Sequence, residues 1–439
     1  MPAVPDTPRV VIIGGGFGGL DAARTLKHAP VRVTLIDRHN YHLFQPLLYQ
    51  VATASLSPGD IASPIRWVLR HQRNAEVFLA DARAIDTAAR EVKLDRGSIP
   101  YDYLIVAAGS SHAYFGHPEW AAYAPGLKTL DDAIEMRRRV LLAFEAAERE
   151  SDPEEQRRLL TFVIVGGGAT GVELAGALGE IARKTLRKDF RHIRPESSRI
   201  LILEGGPVIL AQFPAALQNS ARESLERLGV EVRTNSLVTG VDDRGVLWRA
   251  ASPTGGPASG AQPIIERIEA QTVLWAAGVA ASPIAKSLGL PLDRAGRVPA
   301  EPTLRVPGHP EIFVVGDICA LQQDGQPLPG VAQVAKQEGA QAARNILNAL
   351  AGRPLEPFRY RDYGTMAVIG RGSAIGVVGG VQIAGFFGWL FWVFLHIFWL
   401  IGFRNRIAVF SEWAWAYVTL QRRVRLITGG YLRPRSDDD

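Results

Sequence analysis

The chain has 439 residues, which is too long for one ordinary hydrophobic core and predicts two or three domains. Its single cysteine, Cys319, excludes a disulfide framework, a CxxC redox pair and any multi-cysteine metal or iron–sulfur site. The nine histidines form no HxxxH or HExxH pattern, so no metal site is expected. The formal net charge of +5 is not accompanied by a recognisable nucleic-acid-binding motif, so no nucleic-acid partner is expected.

The N-terminal stretch MPAVPDTPRVVIIGGG does not have the pattern of a secretory signal. It carries one basic residue, and its apolar run of four residues ends in glycines. We therefore expect the body of the protein to stay in the compartment where it is made.

The first predicted element pair is a strand and a helix joined by a glycine-rich turn, in RVVIIGGGFGGLDAARTL. Gly14, Gly16 and Gly19 form the pattern GxGxxG, which permits a tight turn, close approach of a pyrophosphate and close packing of helix on strand. The amides at the helix start would bind the phosphates. The next strand, VRVTLID, ends in Asp37, which is placed to bind a ribose hydroxyl. These features together predict a dinucleotide site.

The same construction recurs after a predicted helix, LDDAIEMRRRVLLAFEAAERES. LLTFVIVGGGATGVELAGAL contains Gly166, Gly168 and Gly171 in the same pattern, and the following strand, RILILE, ends in Glu204. The interval to this acid is longer because the basic stretch RKTLRKDFRHIRPESS intervenes. An acid here would bind a 2′-hydroxyl and repel a 2′-phosphate, which favours NADH over NADPH.

Two further strands, YDYLIVAAGS and TVLWAAGVAAS, each end in Ala-Ala-Gly, and EIFVVGDICA places Gly316 and Asp317 after a third. This set resembles the flavoproteins with two dinucleotide-binding domains, of glutathione-reductase type. The resemblance implies that the first unit binds FAD, that the second binds NAD(P)H, and that Asp317 contacts the flavin. Asp317 could also cap the following helix.

The predicted fold class is α/β, with two Rossmann-like dinucleotide-binding domains and a C-terminal amphipathic helical membrane-binding tail. Within the second domain, ASPTGGPASGAQP (251–263) is a flexible low-complexity loop, which we interpret as a tolerated insertion in a long hairpin connection. The predicted divisions are 1–115, the first part of the FAD domain; 116–154, a helical connector; 155–285, the NADH domain; 286–370, the second part of the FAD domain; and 371–439, a membrane-associating region.

The C-terminal region is strongly aromatic and basic. Residues 383–403 carry no charged side chain, and this uncharged run is long enough to span a membrane. The basic flank that follows, with seven arginines and one acid between Arg404 and Arg435, argues against a span if the body is cytoplasmic. An apolar stripe at helical spacing follows: Phe410, Trp413, Tyr417, Leu420, Val424 and Ile427. We therefore expect residues 383–427 to lie on the membrane surface, with a core or dimer-interface helix as the alternative.

The single cysteine limits the reactions that the protein could catalyse. Disulfide reductases of this superfamily need a cysteine pair, and sulfide:quinone oxidoreductases also need cysteines, so both are excluded. NYHLFQPLLYQVA, GGGATGVELAGAL, VLWAAGV, AQVAKQEG, GTMAVIGR and the arginine-rich aromatic tail together resemble the type II NADH:quinone oxidoreductases. These are single-subunit, FAD-dependent NADH dehydrogenases that do not pump protons. The resemblance covers essentially the whole chain.

The resemblance implies two cofactors, FAD and NADH, and a set of cofactor-binding residues. For FAD these are Gly14, Gly16, Phe17, Gly18, Gly19, Asp37, Arg38, Ala82, Ala108, Gly109 and Asp317. For NADH they are Gly166, Gly168, Ala169, Thr170, Gly171, Glu204 and Gly278.

The resemblance also implies the residues of the quinone step. The family's quinone motif maps onto Gln333 and Gln337 of AQVAKQ, which could instead be helix-surface glutamines. Glu173 matches a position near the flavin that relays protons, although an acid in the first turn of a helix is favourable in any case. Where the family commonly has KDKG, this chain has RDYG with Tyr363, so the role of that lysine is absent or moved to Lys336.

The implied partners are a membrane quinone, ubiquinone or menaquinone, and the bilayer surface, with a tail-mediated homodimer left open. The expected location is the cytoplasmic side of the inner membrane, as a peripheral protein. Two rival functions remain open: an NADH-dependent reductase of a soluble redox protein, and a membrane-tethered NADH sensor without turnover.

Overall fold

The computed structural model describes residues 7–251, 264–419 and 424–428. Its strands are β1 (Arg9–Ile13), β2 (Arg32–Asp37), β3 (Tyr41–Leu43), β4 (Ala62–Pro64), β5 (Ala75–Leu79), β6 (Ala82–Asp86), β7 (Glu91–Leu94), β8 (Ser98–Pro100), β9 (Tyr103–Val106), β10 (Ser110–His112), β11 (Thr161–Val165), β12 (Arg199–Leu203), β13 (Val230–Arg233), β14 (Ser236–Asp242), β15 (Gly245–Ala250), β16 (Ile265–Glu269), β17 (Thr272–Trp275), β18 (Val279–Ala281), β19 (Val298–Pro299), β20 (Arg305–Val306), β21 (His309–Val314), β22 (Cys319–Ala320), β23 (Gln322–Gln323), β24 (Gln326–Pro327), β25 (Thr365–Gly370), β26 (Ser373–Val378) and β27 (Val381–Ala384).

The helices are α1 (Phe17–Thr25), α2 (Leu48–Ala52), α3 (Pro58–Ile61), α4 (Ile65–Leu69), α5 (Leu130–Arg149), α6 (Pro153–Leu159), α7 (Ala169–Glu180), α8 (Ala215–Arg227), α9 (Ala332–Leu350), α10 (Gly385–Trp399) and α11 (Phe403–Thr419). The chain forms two compact units. Unit 1 consists of Met1–Leu43, Ala62–His112 and Val279–Tyr363, and unit 2 of Phe44–Ile61, Ala113–Gly278 and Gly364–Asp439, each as far as it is described.

Unit 1 is organised around a six-stranded sheet with the order β20-β21-β9-β1-β2-β5. The strands from β21 to β5 run parallel, and β1 lies between β9 and β2. The uninterrupted apolar run of β1 suits this place, because a central parallel strand is covered on both faces. Helices α1 and α9 pack closely: a Cβ on Gly339 would lie 2.0 Å from the carbonyl oxygen of Gly18.

Unit 2 contains a four-stranded parallel sheet, β13-β12-β11-β17, and two antiparallel sheets, β14-β15-β16 and β25-β26-β27. Its long helix α5 begins with a capping box in which the Thr129 side chain and the Asp132 side chain each accept a backbone N–H of the other residue. The predicted hairpin around the low-complexity loop is present, since β15 and β16 pair in antiparallel. The loop itself, 252–263, lies outside the described residues.

The tail differs from its sequence-based description in two ways. The uncharged run 383–403 is divided: its first residues end β27, and the helix α10 covers only Gly385–Trp399. The predicted helical stripe is also too long, because α11 ends at Thr419, and Val424 and Ile427 lie outside a helix. Leu420 lies outside the described residues.

In the described part of the chain, no helix combines the length and the apolar character needed to cross a membrane.

The predicted α/β fold class with two nucleotide-type sheets is confirmed. The chain passes between the units after His112, Gly278 and Tyr363, compared with predicted divisions at 115, 285 and 370. The segment Phe44–Ile61 belongs to unit 2, which the sequence did not indicate. The cofactor assigned to each stretch stays a prediction.

Candidate active site

The first glycine turn, in unit 1, packs closely against the backbone at the ends of β1 and β9. Gly14 has a φ of +101°, and a Cβ there would lie 2.3 Å from the carbonyl oxygen of Ala107. A Cβ on Gly19 would lie 1.8 Å from the carbonyl oxygen of Gly14. Both positions therefore require glycine, one for its backbone conformation and the other for the close packing of α1.

The start of α1 is open by contrast. Gly16 is the N-cap and carries no side chain to accept the first amides of the helix, and nothing lies within 4 Å of where its Cβ would be. Asp37, at the end of β2, shapes the turn: its two carboxylate oxygens accept the backbone N–H of Gly15 at 2.6 Å and of His39 at 2.7 Å. An open helix start beside a fixed carboxylate is what a dinucleotide pyrophosphate and ribose require.

The other residues assigned to FAD lie in unit 1 as follows. Phe17 begins α1, Gly18 is the second residue of that helix, Arg38 is exposed after β2, Ala82 begins β6, and Ala108 and Gly109 follow β9. Asp317 accepts a hydrogen bond from the Ser110 hydroxyl at 2.6 Å. Asp317 lies within the short 3₁₀ turn Gly316–Ile318, and its roles as a flavin contact and as a helix cap both stay predictions.

The second glycine turn, in unit 2, repeats this geometry. Gly166 has a φ of +107°, and a Cβ on Gly171 would lie 1.9 Å from the carbonyl oxygen of Gly166. Gly168 is the N-cap of α7, again without a side-chain cap and with nothing within 4 Å of a Cβ position. Glu204 has the role in unit 2 that Asp37 has in unit 1. Its carboxylate oxygens accept the backbone N–H of Gly167 and of Gly206, both at 2.6 Å.

Three further residues assigned to NADH complete this set. Ala169 and Thr170 are the first two residues of α7. Gly278 follows β17. A Cβ there would lie 2.7 Å from the Phe115 ring, so there is little room for a side chain at position 278. The residues present in the two units thus fit two dinucleotides, because each turn leaves a glycine cradle and uncapped helix amides beside an acid.

Glu173 lies on α7, at the wall of a cavity of about 100 Å³ in unit 2. It is the fifth residue of the helix, and the first turn of α7 contains no acid, so the alternative of a first-turn acid stabilised by the helix dipole is wrong. Burial raises the pKa of the Glu173 carboxyl to about 8, against a smaller opposing effect of a hydrogen bond from the Val368 backbone. The carboxyl is therefore mostly protonated at pH 7.

The position of Glu173 depends on a close contact between α7 and β25. A Cβ on Gly176 would lie 1.6 Å from the carbonyl oxygen of Ile369, so the helix backbone lies directly on the strand. This contact places Glu173 beside Val368, the strand residue whose backbone it binds. The glycine therefore sets the environment that raises the pKa.

The rest of the cavity wall is mainly aromatic. Among its lining residues are Gln50, Trp389, Trp392, Trp413 and Tyr417. The indole N–H of Trp413 donates to Gln50 Oε1 at 2.7 Å, and Gln50 Nε2 donates to the Tyr49 hydroxyl at 2.9 Å. Trp392 packs against Trp413 with ring centroids 5.2 Å apart. The tail helices therefore form part of the same cavity as Glu173.

Gln333 and Gln337 lie on α9 in unit 1 and both contact the RDYG segment. Gln337 makes two bonds to the Arg361 backbone: Oε1 accepts the N–H at 3.0 Å, and Nε2 donates to the carbonyl at 2.9 Å. Gln333 Oε1 accepts the Tyr363 N–H at a long 3.4 Å. Lys336, the alternative carrier of the missing lysine's charge, lies 3.8 Å from an oxygen of Asp21.

Three features of these sites were missed by sequence reasoning. Gln50 lies within the motif NYHLFQPLLYQVA, but its bond to Trp413 joins residues 363 positions apart. Glu180, seven residues after Glu173 on α7, also lines the cavity, and its Oε1 accepts the Arg371 N–H at 2.6 Å. Glu338 is 1% exposed and accepts the Gly316 N–H at 2.6 Å. Only its place in AQVAKQEG, directly after Gln337, could have indicated Glu338.

Comparison with known proteins agrees with this geometry. The family model for the pyridine nucleotide-disulphide oxidoreductases matches residues 8–339. Two type II NADH:quinone oxidoreductases of Mycobacterium tuberculosis are similar over nearly the full length: Ndh is 44% identical, covering 97% of this chain and 91% of its own, and NdhA is 45% identical, covering 99% and 92%.

A solved structure of NDH2 from Plasmodium falciparum in complex with NADH has the same fold, with a TM-score of 0.86 at 19% identity, over 96% of this chain and all of that one. The family predicted from the motifs is confirmed by the mycobacterial relatives. The chain belongs to the pyridine nucleotide-disulphide oxidoreductase family and, within it, to the type II NADH:quinone oxidoreductases.

Proposed function

We propose that this protein is an FAD-dependent NADH dehydrogenase that passes two electrons from NADH to a membrane quinone without pumping protons. The observation that carries the proposal is the cavity of unit 2, in which a mostly protonated carboxylic acid lies among tryptophans, on the helix that begins at the second glycine turn. Such a cavity suits a flat apolar ring that must take up protons when it is reduced. When bound, FAD supplies the two-electron chemistry between NADH and quinone.

The two glycine turns bind and orient the cofactors. The uncapped amides at the start of α1 bind the FAD pyrophosphate, and those at the start of α7 bind the NADH pyrophosphate. Asp37 and Glu204 fix the turns through backbone N–H groups, and each carboxylate oxygen retains a lone pair for a ribose hydroxyl. A carboxylate at Glu204 disfavours a 2′-phosphate, so NADH is the substrate rather than NADPH.

Glu173 holds a proton at the cavity. A carboxyl with a pKa of about 8 is a proton donor at neutral pH, and it can give that proton to an oxygen of a quinone that receives electrons. The proton lost is recovered from water after the quinol leaves. Glu173 is thus assigned the role of general acid.

Gln333 and Gln337 are proposed as hydrogen-bond donors to a quinone carbonyl, as in the family motif. The bonds of Gln337 to Arg361 use one Nε2 hydrogen and one Oε1 lone pair, so each atom can form one further bond. These bonds also give Gln337 a second role, which is to hold the RDYG segment next to α9. Tyr363, where the family commonly has lysine, is 53% exposed.

The tail is proposed to lie on the cytoplasmic face of the inner membrane, where the quinone is dissolved. Large apolar side chains of α10 and α11 are exposed, among them Phe387, Leu390, Phe394, Phe398, Phe410 and Val418. An apolar patch of this kind on a soluble body marks an interaction surface, and tryptophan with arginine favours the lipid interface. A homodimer through the same surface is the competing occupant, which analytical ultracentrifugation without detergent would reveal.

Steady-state kinetics test the function. The purified protein should oxidise NADH with a short-chain quinone, and NADPH should be a poorer substrate by at least about tenfold. Substitution Glu204→Gln should reduce this preference. Rapid turnover with a soluble iron–sulfur protein and none with quinone would instead support the rival reductase, and binding of NADH without turnover would support the sensor.

A further inference from the structure

The basic stretch that separates α7 from β12 has no part in the nucleotide turn. We name residues 183–194 the basic segment: it contains Arg183, Lys184, Arg187, Lys188, Arg191 and Arg194, and its one acid is Asp189. It begins in the short π-helix Ile181–Thr185 and precedes the 3₁₀ turn Pro195–Ser197. The nucleotide function therefore does not explain this concentration of positive charge.

The conformation of the basic segment is fixed by α5. The Glu148 carboxylate accepts the backbone N–H of Arg191 at 2.8 Å, of His192 at 3.0 Å and of Ile193 at 3.1 Å. The Phe190 ring stacks on Phe144 with centroids 6.1 Å apart. The segment thus presents its cations from an ordered backbone, which lowers the entropy cost of binding.

Three cations of the basic segment are exposed, and no described residue gives them an acidic partner. Among the residues that the structure describes, Lys188, Arg191 and Arg194 form no ion pair with a carboxylate. Within the described part of the chain, the guanidinium of Arg191 donates to the backbone carbonyls of Lys188 and Phe190. Asp189, the one acid, pairs with Arg425 of the tail. The segment therefore keeps a net positive charge at its surface.

One contact within unit 2 joins the basic segment to Arg425 of the tail. Besides the Asp189–Arg425 pair, Glu180 accepts the Arg371 N–H, and the Arg371 guanidinium lies 5.8 Å from the centroid of the Tyr417 ring. Near these contacts the tail exposes Val418 (81%) and Leu426 (63%). Lys188 precedes Asp189 and Leu426 follows Arg425 in the chain, so the Asp189–Arg425 pair brings one cation of the basic segment near an exposed apolar side chain.

We propose that Lys188, Arg191 and Arg194 bind anionic phospholipid headgroups, so that the basic segment is a second membrane contact beside the tail. Exposed apolar side chains of the tail near these cations favour a bilayer over a nucleic acid or an acidic protein, because only a bilayer offers acyl chains next to phosphates. This inference rests on the proposed membrane contact of the tail. It adds a preference for anionic lipid. The residues responsible for this preference lie 225 or more positions before the end of α11 in the sequence.

The test is vesicle flotation with the full-length, FAD-loaded protein and a variant carrying Lys188→Gln, Arg191→Gln and Arg194→Gln. Vesicles consist of phosphatidylcholine alone or with phosphatidylglycerol added. The native protein should partition more strongly onto the anionic vesicles, and the advantage should fall with salt. The variant should lose on the order of 10- to 100-fold of that advantage and keep its binding to neutral vesicles.

A matched control carries Arg83→Gln, Arg96→Gln and Arg294→Gln, which removes the same charge from exposed positions of unit 1. Bleaching of the flavin by NADH verifies that each variant is folded. Equal losses in both variants would show a nonspecific charge effect and overturn the inference. Unchanged partitioning of the segment variant would overturn it while leaving the tail contact intact. Failure of the native protein to bind either vesicle would overturn both proposals.

Discussion

Glu173 carries the most specific claim at the scale of single residues. Because burial raises the pKa of its carboxyl to about 8, the proton-donating form persists through neutral pH and is lost as pH rises above about 8. Glu173→Gln should slow flavin reoxidation by quinone by about 100-fold or more and leave flavin reduction by NADH unchanged. Stopped-flow absorbance separates the two phases.

The pH profile is the control for this prediction. In the native protein the reoxidation rate should fall above about pH 8, whereas in the glutamine variant it should be flat across that range. A variant that reoxidises at the native rate at every pH would remove Glu173 from the proton step.

Gly176 is predicted to be indispensable for the position of Glu173. Alanine at 176 would place its Cβ 1.6 Å from a backbone oxygen of β25, so α7 and β25 must separate. Gly176→Ala should reduce the free energy of unfolding by about 1–3 kcal/mol or more and should impair quinone reduction. Gly59→Ala is the matched control, because nothing lies within 4 Å of that Cβ position; thermal unfolding should give it a native midpoint. Equal midpoints for the two variants would contradict the packing argument.

Glu338 should make stability depend on pH. Burial raises the pKa of its carboxyl from 4.5 to about 8, so the folded chain binds more protons than the unfolded chain between these values. The stabilising contribution is fully present below about pH 4.5 and is lost as the pH rises through 8. Glu338→Gln should remove this part of the decline, and the remaining part due to Glu173 should persist. Urea unfolding at several pH values measures it, and a variant with the native slope would refute the assignment.

At the scale of elements, the two strand–turn–helix units could be predicted because their determinants are local. Gly14 and Gly166 each lie within a short stretch that contains the strand, the turn and the helix start. The end of α11 could not be predicted in this way. Apolar periodicity continues to Ile427, but the chain leaves the helix near Thr419, and Arg425 pairs with Asp189, 236 positions away. Periodicity records only local spacing and contains no information on such a contact.

The contact of the tail helix α11 with Gln50 is open to a direct test. Trp413→Phe removes the indole N–H that Gln50 Oε1 accepts and leaves a buried acceptor without its donor, at a cost of about 1–3 kcal/mol. We expect a higher KM for quinone with an unchanged rate of flavin reduction by NADH. Trp415→Phe, on the same helix at a side chain that is 46% exposed, is the control. A native KM in the Trp413 variant would separate the tail from the quinone cavity.

At the scale of the whole molecule, the order of the motifs identified the family, but it did not predict which residues meet in the cavity. Tyr49, Glu173, Val368, Trp392 and Trp413 come from five separate stretches of unit 2. The sequence marked several of these stretches as family motifs. Their convergence on one cavity depends on tertiary packing, such as Gly176 on β25, which no single stretch contains. The glutamines of α9 show the same limit, since their bonds to the RDYG segment cross 24 and 30 positions.

Electron transfer from NADH to quinone through bound FAD can be tested in one anaerobic experiment. One equivalent of NADH is added to the purified protein while flavin absorbance is followed, and a short-chain quinone is then added. We expect bleaching by NADH and rapid recovery with quinone. Bleaching without recovery would contradict the quinone assignment, and a protein without flavin, or one whose flavin NADH does not bleach, would contradict the enzyme assignment itself.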